Sequence, residues 1–159
     1  MKPILTLIVI SLFIFSCGGG GQSKIDQIKE QTVKAAPAPV NLAEAEANFK
    51  DFLGVGPIAA FELPAEIDQD LAANGKVVYE AKCTACHKAE KRFIGPAPKG
   101  IIERRTPAWI MNMILNPEEM VQKDALAKFL LIEYNGSPMA NQNLTEEEAR
   151  SVLEYFRTL

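Results

Sequence analysis

His87 is the single histidine of a 159-residue chain, and it directly follows Cys83-Thr84-Ala85-Cys86. Cys-x-x-Cys-His is the attachment motif for c-type haem. Two thiols on one tight turn can add across the two vinyl groups at one edge of a porphyrin, and the imidazole that follows then points at the iron. Such a group becomes part of the core, so the motif constrains the fold as strongly as it constrains the chemistry. In a random chain of this composition the pattern would arise on the order of 1 time in 3,000.

Three other uses of these residues carry less. A zinc site built on Cys83, Cys86 and His87 lacks a fourth sulfur or nitrogen ligand, and the adjacent Cys86 and His87 fit poorly into one tetrahedron. A thioredoxin-like redox pair calls for a βαβ setting, and no stretch reads as an alternating strand. A bare disulfide leaves the histidine without a role.

The one histidine also excludes HExxH zinc chemistry and a bis-histidine haem. With Cys83 and Cys86 used for attachment and His87 on one face of the iron, methionine is the leading sixth ligand. Four methionines follow the export signal described below: Met111, Met113, Met120 and Met139. Met111 and Met113 lie in a core-like helical stretch, and Met120 in a charged segment. Met139, in Asn135-Gly136-Ser137-Pro138-Met139, lies in a loop between two helices that can cross an open haem face. It is the expected ligand.

The N-terminus reads as an export signal. Lys2 precedes Ile4 to Phe15, twelve residues broken only by Thr6 and Ser11. That run is shorter than the roughly 20 residues a membrane-spanning helix needs. It ends Ile14-Phe15-Ser16-Cys17 before Gly18 to Gly21, which resembles the lipobox of bacterial lipoproteins, with Phe15 bulkier than usual. The resemblance implies a signal peptide over 1–16 and a mature chain lipidated at Cys17. It further implies a periplasm-facing protein anchored to a membrane surface. Residues 17–66 read as a tether. Within it, 41–53 forms either a short helix docked on the domain or a transient one in the linker. As flexible coil, Gly18 to Glu66 would span about 35–42 Å.

The folded part is expected at 67–159. One helix opens near Asp70 and runs towards the cysteines. A second starts at Thr106-Pro107 and stops before Asn116-Pro117. A third covers Asp124 to Tyr134 and ends at Asn135-Gly136. A fourth starts at Thr145, with Glu148 completing a capping box. The fold class is therefore all-α, in a domain of about 90 residues, small enough to need help with its core.

Residues 70–159 together resemble the monohaem class I cytochromes c. A helix leads into CxxCH, then come a Gly-Pro loop, a middle helix, a Pro-Met loop and a C-terminal aromatic helix. The resemblance implies the class I fold around one covalently attached haem c. It implies that Gly75 and Tyr79 cross Val152 and Tyr155, and that the Pro96 carbonyl accepts the proton on the far nitrogen of His87. It also implies that Trp109 and Arg92 meet the haem propionates; packing for Trp109 and a solvated surface for Arg92 are equally open. More loosely, the chain is similar to small cytochromes that accompany terminal reductases such as nitrous oxide reductase.

The net charge of -3 is unlike that of a nucleic-acid binder. It is unevenly spread: Lys82 to Arg105 carries seven basic and two acidic residues, whereas Thr106 onward carries four basic and eight acidic. A basic segment around the attachment motif suits docking to redox partners with an acidic surface, the alternative being a solvated scatter of charge. The expected function is a monomeric electron carrier, not an enzyme. The other reading is a haem-based small-ligand sensor or peroxidase-like enzyme with a labile sixth ligand, against which the lack of a second histidine counts.

Overall fold

A computed structural model describes residues 48–159. The expected signal peptide, the expected lipidation site Cys17 and the part of the expected tether up to residue 47 lie outside the described residues. The described residues contain no strand, and none of their helices is long and apolar enough to cross a membrane.

Helix α1 spans Gln69–Lys82; the Asp68 carboxylate caps it by accepting the Leu71 N–H at 2.9 Å. Helix α2 spans Pro107–Leu115, with Thr106 as cap and Pro107 in the first turn, where a missing N–H costs nothing. Helix α3 spans Pro117–Lys123 and α4 spans Ala125–Glu133, the latter capped by Asp124. Helix α5 spans Glu146–Phe156 behind the complete Thr145/Glu148 capping box. Four of these match the expected helices. The extra one, α3, starts at the Asn116-Pro117 step that also stops α2, with Glu118 and Glu119 in its first turn and Lys123 in its last. That charge order complements the helix dipole, although the segment has too little apolar periodicity to read as a helix from sequence.

Helices α1 and α5 cross at Gly75, as the resemblance implied. A Cβ there would stand 1.9 Å from the Ser151 carbonyl oxygen, so only glycine lets the backbones approach this closely. One turn on, the Tyr79 ring packs 5.3 Å from Tyr155 and 5.8 Å from Phe156, centroid to centroid. The core continues through Trp109, Ile110, Met120, Leu126, Val152 and Leu153, all buried.

The sequence reading starts the domain at residue 67 and treats the preceding residues as tether. The described part of that tether is instead a strap laid along the domain. Phe52, Val55, Ile58, Phe61 and Leu63 pack against the core. Buried Asn112 accepts the Ile58 N–H at 2.9 Å and donates to the carbonyls of Leu53 and Ile58. Thr106 donates its hydroxyl to the Phe52 carbonyl, and Asn116 donates to that of Val55. At the other end Arg157 donates to the carbonyls of Pro64, Ala65 and Glu66. The guanidinium is itself held by Glu154, which is fully buried and also accepts the Asp68 N–H. The flexible-coil span therefore does not extend over 52–66. Of the candidate helix at 41–53, the described portion forms a single 3-10 turn at Phe49–Asp51. The strap supplies apolar cover that a domain this small lacks by itself.

Candidate functional site

Helix α1 ends by delivering Cys83, whose N–H still bonds the Tyr79 carbonyl at 2.9 Å. The N–H groups of Cys86 and His87 both turn back to the Cys83 carbonyl, at 3.1 and 2.9 Å. The two thiols and the imidazole are thus presented from one tight turn. Both thiols are free, Cys83 half-buried and Cys86 exposed. In the polypeptide before attachment, burial, helped by the neighbouring Cys86, pushes the Cys83 thiol up to about 11.

His87 is held from three sides. Its Nδ1 lies 2.8 Å from the Pro96 carbonyl oxygen, which accepts the Nδ1 proton and leaves Nε2 as the ring nitrogen with a free lone pair. Its own carbonyl accepts the Tyr79 hydroxyl at 3.1 Å. Gly95 lies flat against the ring: a Cβ there would stand 2.4 Å from Cε1. The 88–100 loop is tied beneath by Gly95 N–H to the Cys86 carbonyl and Lys99 N–H to that of Ala89.

Cys83, Cys86, His87 and Pro96 line one part of a largely apolar cavity of about 480 Å³. Trp109, Met113 and Met139 line it as well. Its size lies within the range of small-molecule and cofactor sites. Of the four candidate methionines, Met111 and Met120 are buried in the core, and the Met120 sulfur accepts the Val55 N–H of the strap. Neither lines the cavity. Met139 does so from the 134–145 loop, and Met113 from α2. Among the described residues, no group of three His, Cys, Asp or Glu side chains is placed to hold a metal ion, which leaves the zinc alternative without support.

Trp109 and Arg92 also line the cavity, with their donors engaged by protein. The Trp109 indole N–H donates to Asp124 at 3.1 Å, in a buried bond that also ties the α4 cap to α2. What Trp109 offers the cavity is its ring. Arg92 donates to the Glu133 carboxylate at 3.0 Å and carbonyl at 2.6 Å, its guanidinium 4.0 Å above the Tyr134 ring. Sequence reasoning missed Arg105, a buried cation at the cavity wall that lies over the Trp109 ring at 5.4 Å. Nothing local marks it, because it follows Arg104, a similar residue that stays exposed.

The donor set fits a covalently held haem: two thiols on one turn, an oriented imidazole, facing thioethers and apolar walls. Comparison with known proteins agrees. A family model described as Cytochrome c matches residues 72–159. The chain belongs to the cytochrome c family. Cytochrome c from Rhodothermus marinus is 44% identical, with a TM-score of 0.62 over 65% of this chain and 88% of that one. An engineered form of it, Rma TDE, is 43% identical over 65% and 89% of the two chains, with a TM-score of 0.62. The same engineered protein bound to a carbene intermediate is 43% identical, with a TM-score of 0.60 over 65% and 88%. No curated protein matches the chain.

Membership of the cytochrome c family makes this an all-α protein of the class I fold with one covalently attached haem c, and a haem electron carrier. The strand-free helical architecture of the described residues agrees.

Proposed function

We propose that the protein is a membrane-tethered monohaem carrier that passes single electrons to an exported redox partner. Cys83 and Cys86 would hold haem c through thioethers, and His87 Nε2 and the Met139 sulfur would hold its iron. The haem supplies an iron that cycles between Fe(II) and Fe(III). The protein's own part is to hold both donors still across that change, so that little reorganisation accompanies transfer. The observation that carries this reading is the 2.8 Å bond from His87 Nδ1 to the Pro96 carbonyl. It selects the tautomer with Nε2 unprotonated, fixes the ring plane and strengthens the nitrogen as a donor.

The N-terminal signal and Cys17 support a lipid-anchored, periplasm-facing carrier. The basic character of 82–105 supports an acidic docking surface on the partner, although Lys99 and Arg92 spend part of their charge on Glu90 and Glu133. The acceptor class in keeping with the looser resemblance is a terminal reductase, as with nitrous oxide reductase.

The ligand assignment is tested with haem-loaded protein in a Met113→Leu background, which leaves Met139 as the one methionine lining the cavity. Met113→Leu is expected to keep the near-infrared sulfur-to-iron band of the oxidised form, and Met113→Leu/Met139→Ala to lose it. Loss of the band in Met113→Leu alone would overturn Met139 as the native ligand. Mass spectrometry of the membrane-extracted protein tests the anchor: the expected N-terminal fragment starts at an acylated Cys17.

A further inference from the structure

We infer that Met113 is a second thioether donor for the same iron, a reserve ligand that takes the sixth position when Met139 leaves it. This rests on the haem reading above. Of the methionines in the described residues, Met113 and Met139 are the two that line the cavity, whereas Met111 and Met120 are packed elsewhere. Met113 stands four residues after Trp109 on α2, on the same helix face, and both side chains reach the cavity wall. The side chain has three rotatable bonds, so it can redirect its sulfur without moving the helix. Thioether sulfur is a soft donor that haem iron accepts.

The two donors differ in how they are mounted. Whereas Met113 sits on helix α2, Met139 sits in an irregular loop, 134–145. Its tie to α2 is a 3.4 Å contact from the Asn141 amide to the Leu115 carbonyl, long for a hydrogen bond. An irregular loop opens at lower free energy than a helix packed on the core. When it opens, Met139 leaves with it, while Met113 stays at the cavity wall because α2 is held by Trp109, Ile110 and Ile114 in the core. Among the residues lining the cavity His87 is already used, and Met113 is the one sulfur besides Met139 and the two attachment cysteines.

The test adds Met139→Ala alone to the two variants above, read by optical spectrum with the covalent haem retained. Met139→Ala is expected to stay six-coordinate and to keep a sulfur-to-iron band, shifted in position, that disappears in Met113→Leu/Met139→Ala. A five-coordinate Met139→Ala without the band would overturn the reserve role and leave Met139 as the native ligand. A band lost in Met113→Leu alone would overturn both assignments, and a band that persists in the double variant would place the donor elsewhere and overturn both as well. Should Met139→Ala lose its near-ultraviolet circular dichroism, Met139→Val, which keeps more of the apolar contact, takes its place with the same outcomes.

Discussion

The Nδ1 atom of His87 and the carbonyl oxygen of Pro96 are 2.8 Å apart, and Gly95 between them in the loop presses flat on the imidazole. The bond comes from the backbone of Pro96, so the proline ring contributes by stiffening the loop and the glycine by leaving room for the histidine. Gly95→Ala would put a methyl 2.4 Å from Cε1 and force ring or loop to move. The expected cost is about 1–3 kcal/mol, the range for an overpacked site. A changed reduction potential should accompany it, because the histidine loses its oriented partner. Thermal unfolding and redox titration of the haem-loaded variant check both; an unchanged potential would mean that the loop yields without disturbing the bond.

The α1–α5 crossing is less forgiving. At Gly75 an added Cβ meets the Ser151 carbonyl oxygen at 1.9 Å, and that oxygen belongs to a helix backbone. Alanine is favoured over glycine inside a helix by about 1 kcal/mol, so propensity alone predicts stabilisation. The clash should win: Gly75→Ala is expected to lower stability by about 2–3 kcal/mol. A denaturant titration that shows equal or greater stability would refute the close approach.

Asn112 joins α2 to the strap through three hydrogen bonds and is almost fully buried. Asn112→Ala leaves the Ile58 N–H and the Leu53 and Ile58 carbonyls without this partner, at a cost of about 1–3 kcal/mol. Limited proteolysis should then cut within 53–63 earlier than in the unmodified protein, while the haem spectrum stays the same, because no strap residue lines the cavity.

Burial pushes the Tyr79 phenol up to about 12 from its ordinary 10.0. The folded state thus favours the neutral phenol. Its contribution to stability is fully present below the unfolded value of 10.0 and is lost as pH rises towards about 12. Urea unfolding at rising alkaline pH should show this decline. Tyr79→Phe should flatten it, at a cost of about 1 kcal/mol near pH 7 for the lost bond to the His87 carbonyl.

The legible parts of this protein were those written in short range. Cys83, Cys86 and His87 lie within five residues, and their chemistry follows from spacing alone. Thr145 and Glu148 announced α5 because a capping box is closed by residues three apart. Pro117 marked the end of α2 and concealed α3, since the residues after it lack the apolar periodicity that follows Thr106-Pro107.

The tertiary structure decided what depends on contacts between distant residues. The sequence reading placed 52–66 in the tether, because nothing local ties that segment down. Asn112, Thr106 and Arg157 turn it into a strap by satisfying its backbone groups across 54 to 93 residues of sequence. The same holds for the methionines. Sequence offered four sulfurs and an argument for Met139, but only packing removes Met111 and Met120 to the core and leaves Met113 beside Met139 at the cavity. It also commits the Trp109 N–H to Asp124, since a buried donor bonds whatever acceptor the fold brings within reach. Local chemistry named the cofactor; long-range packing decided which side chains face it.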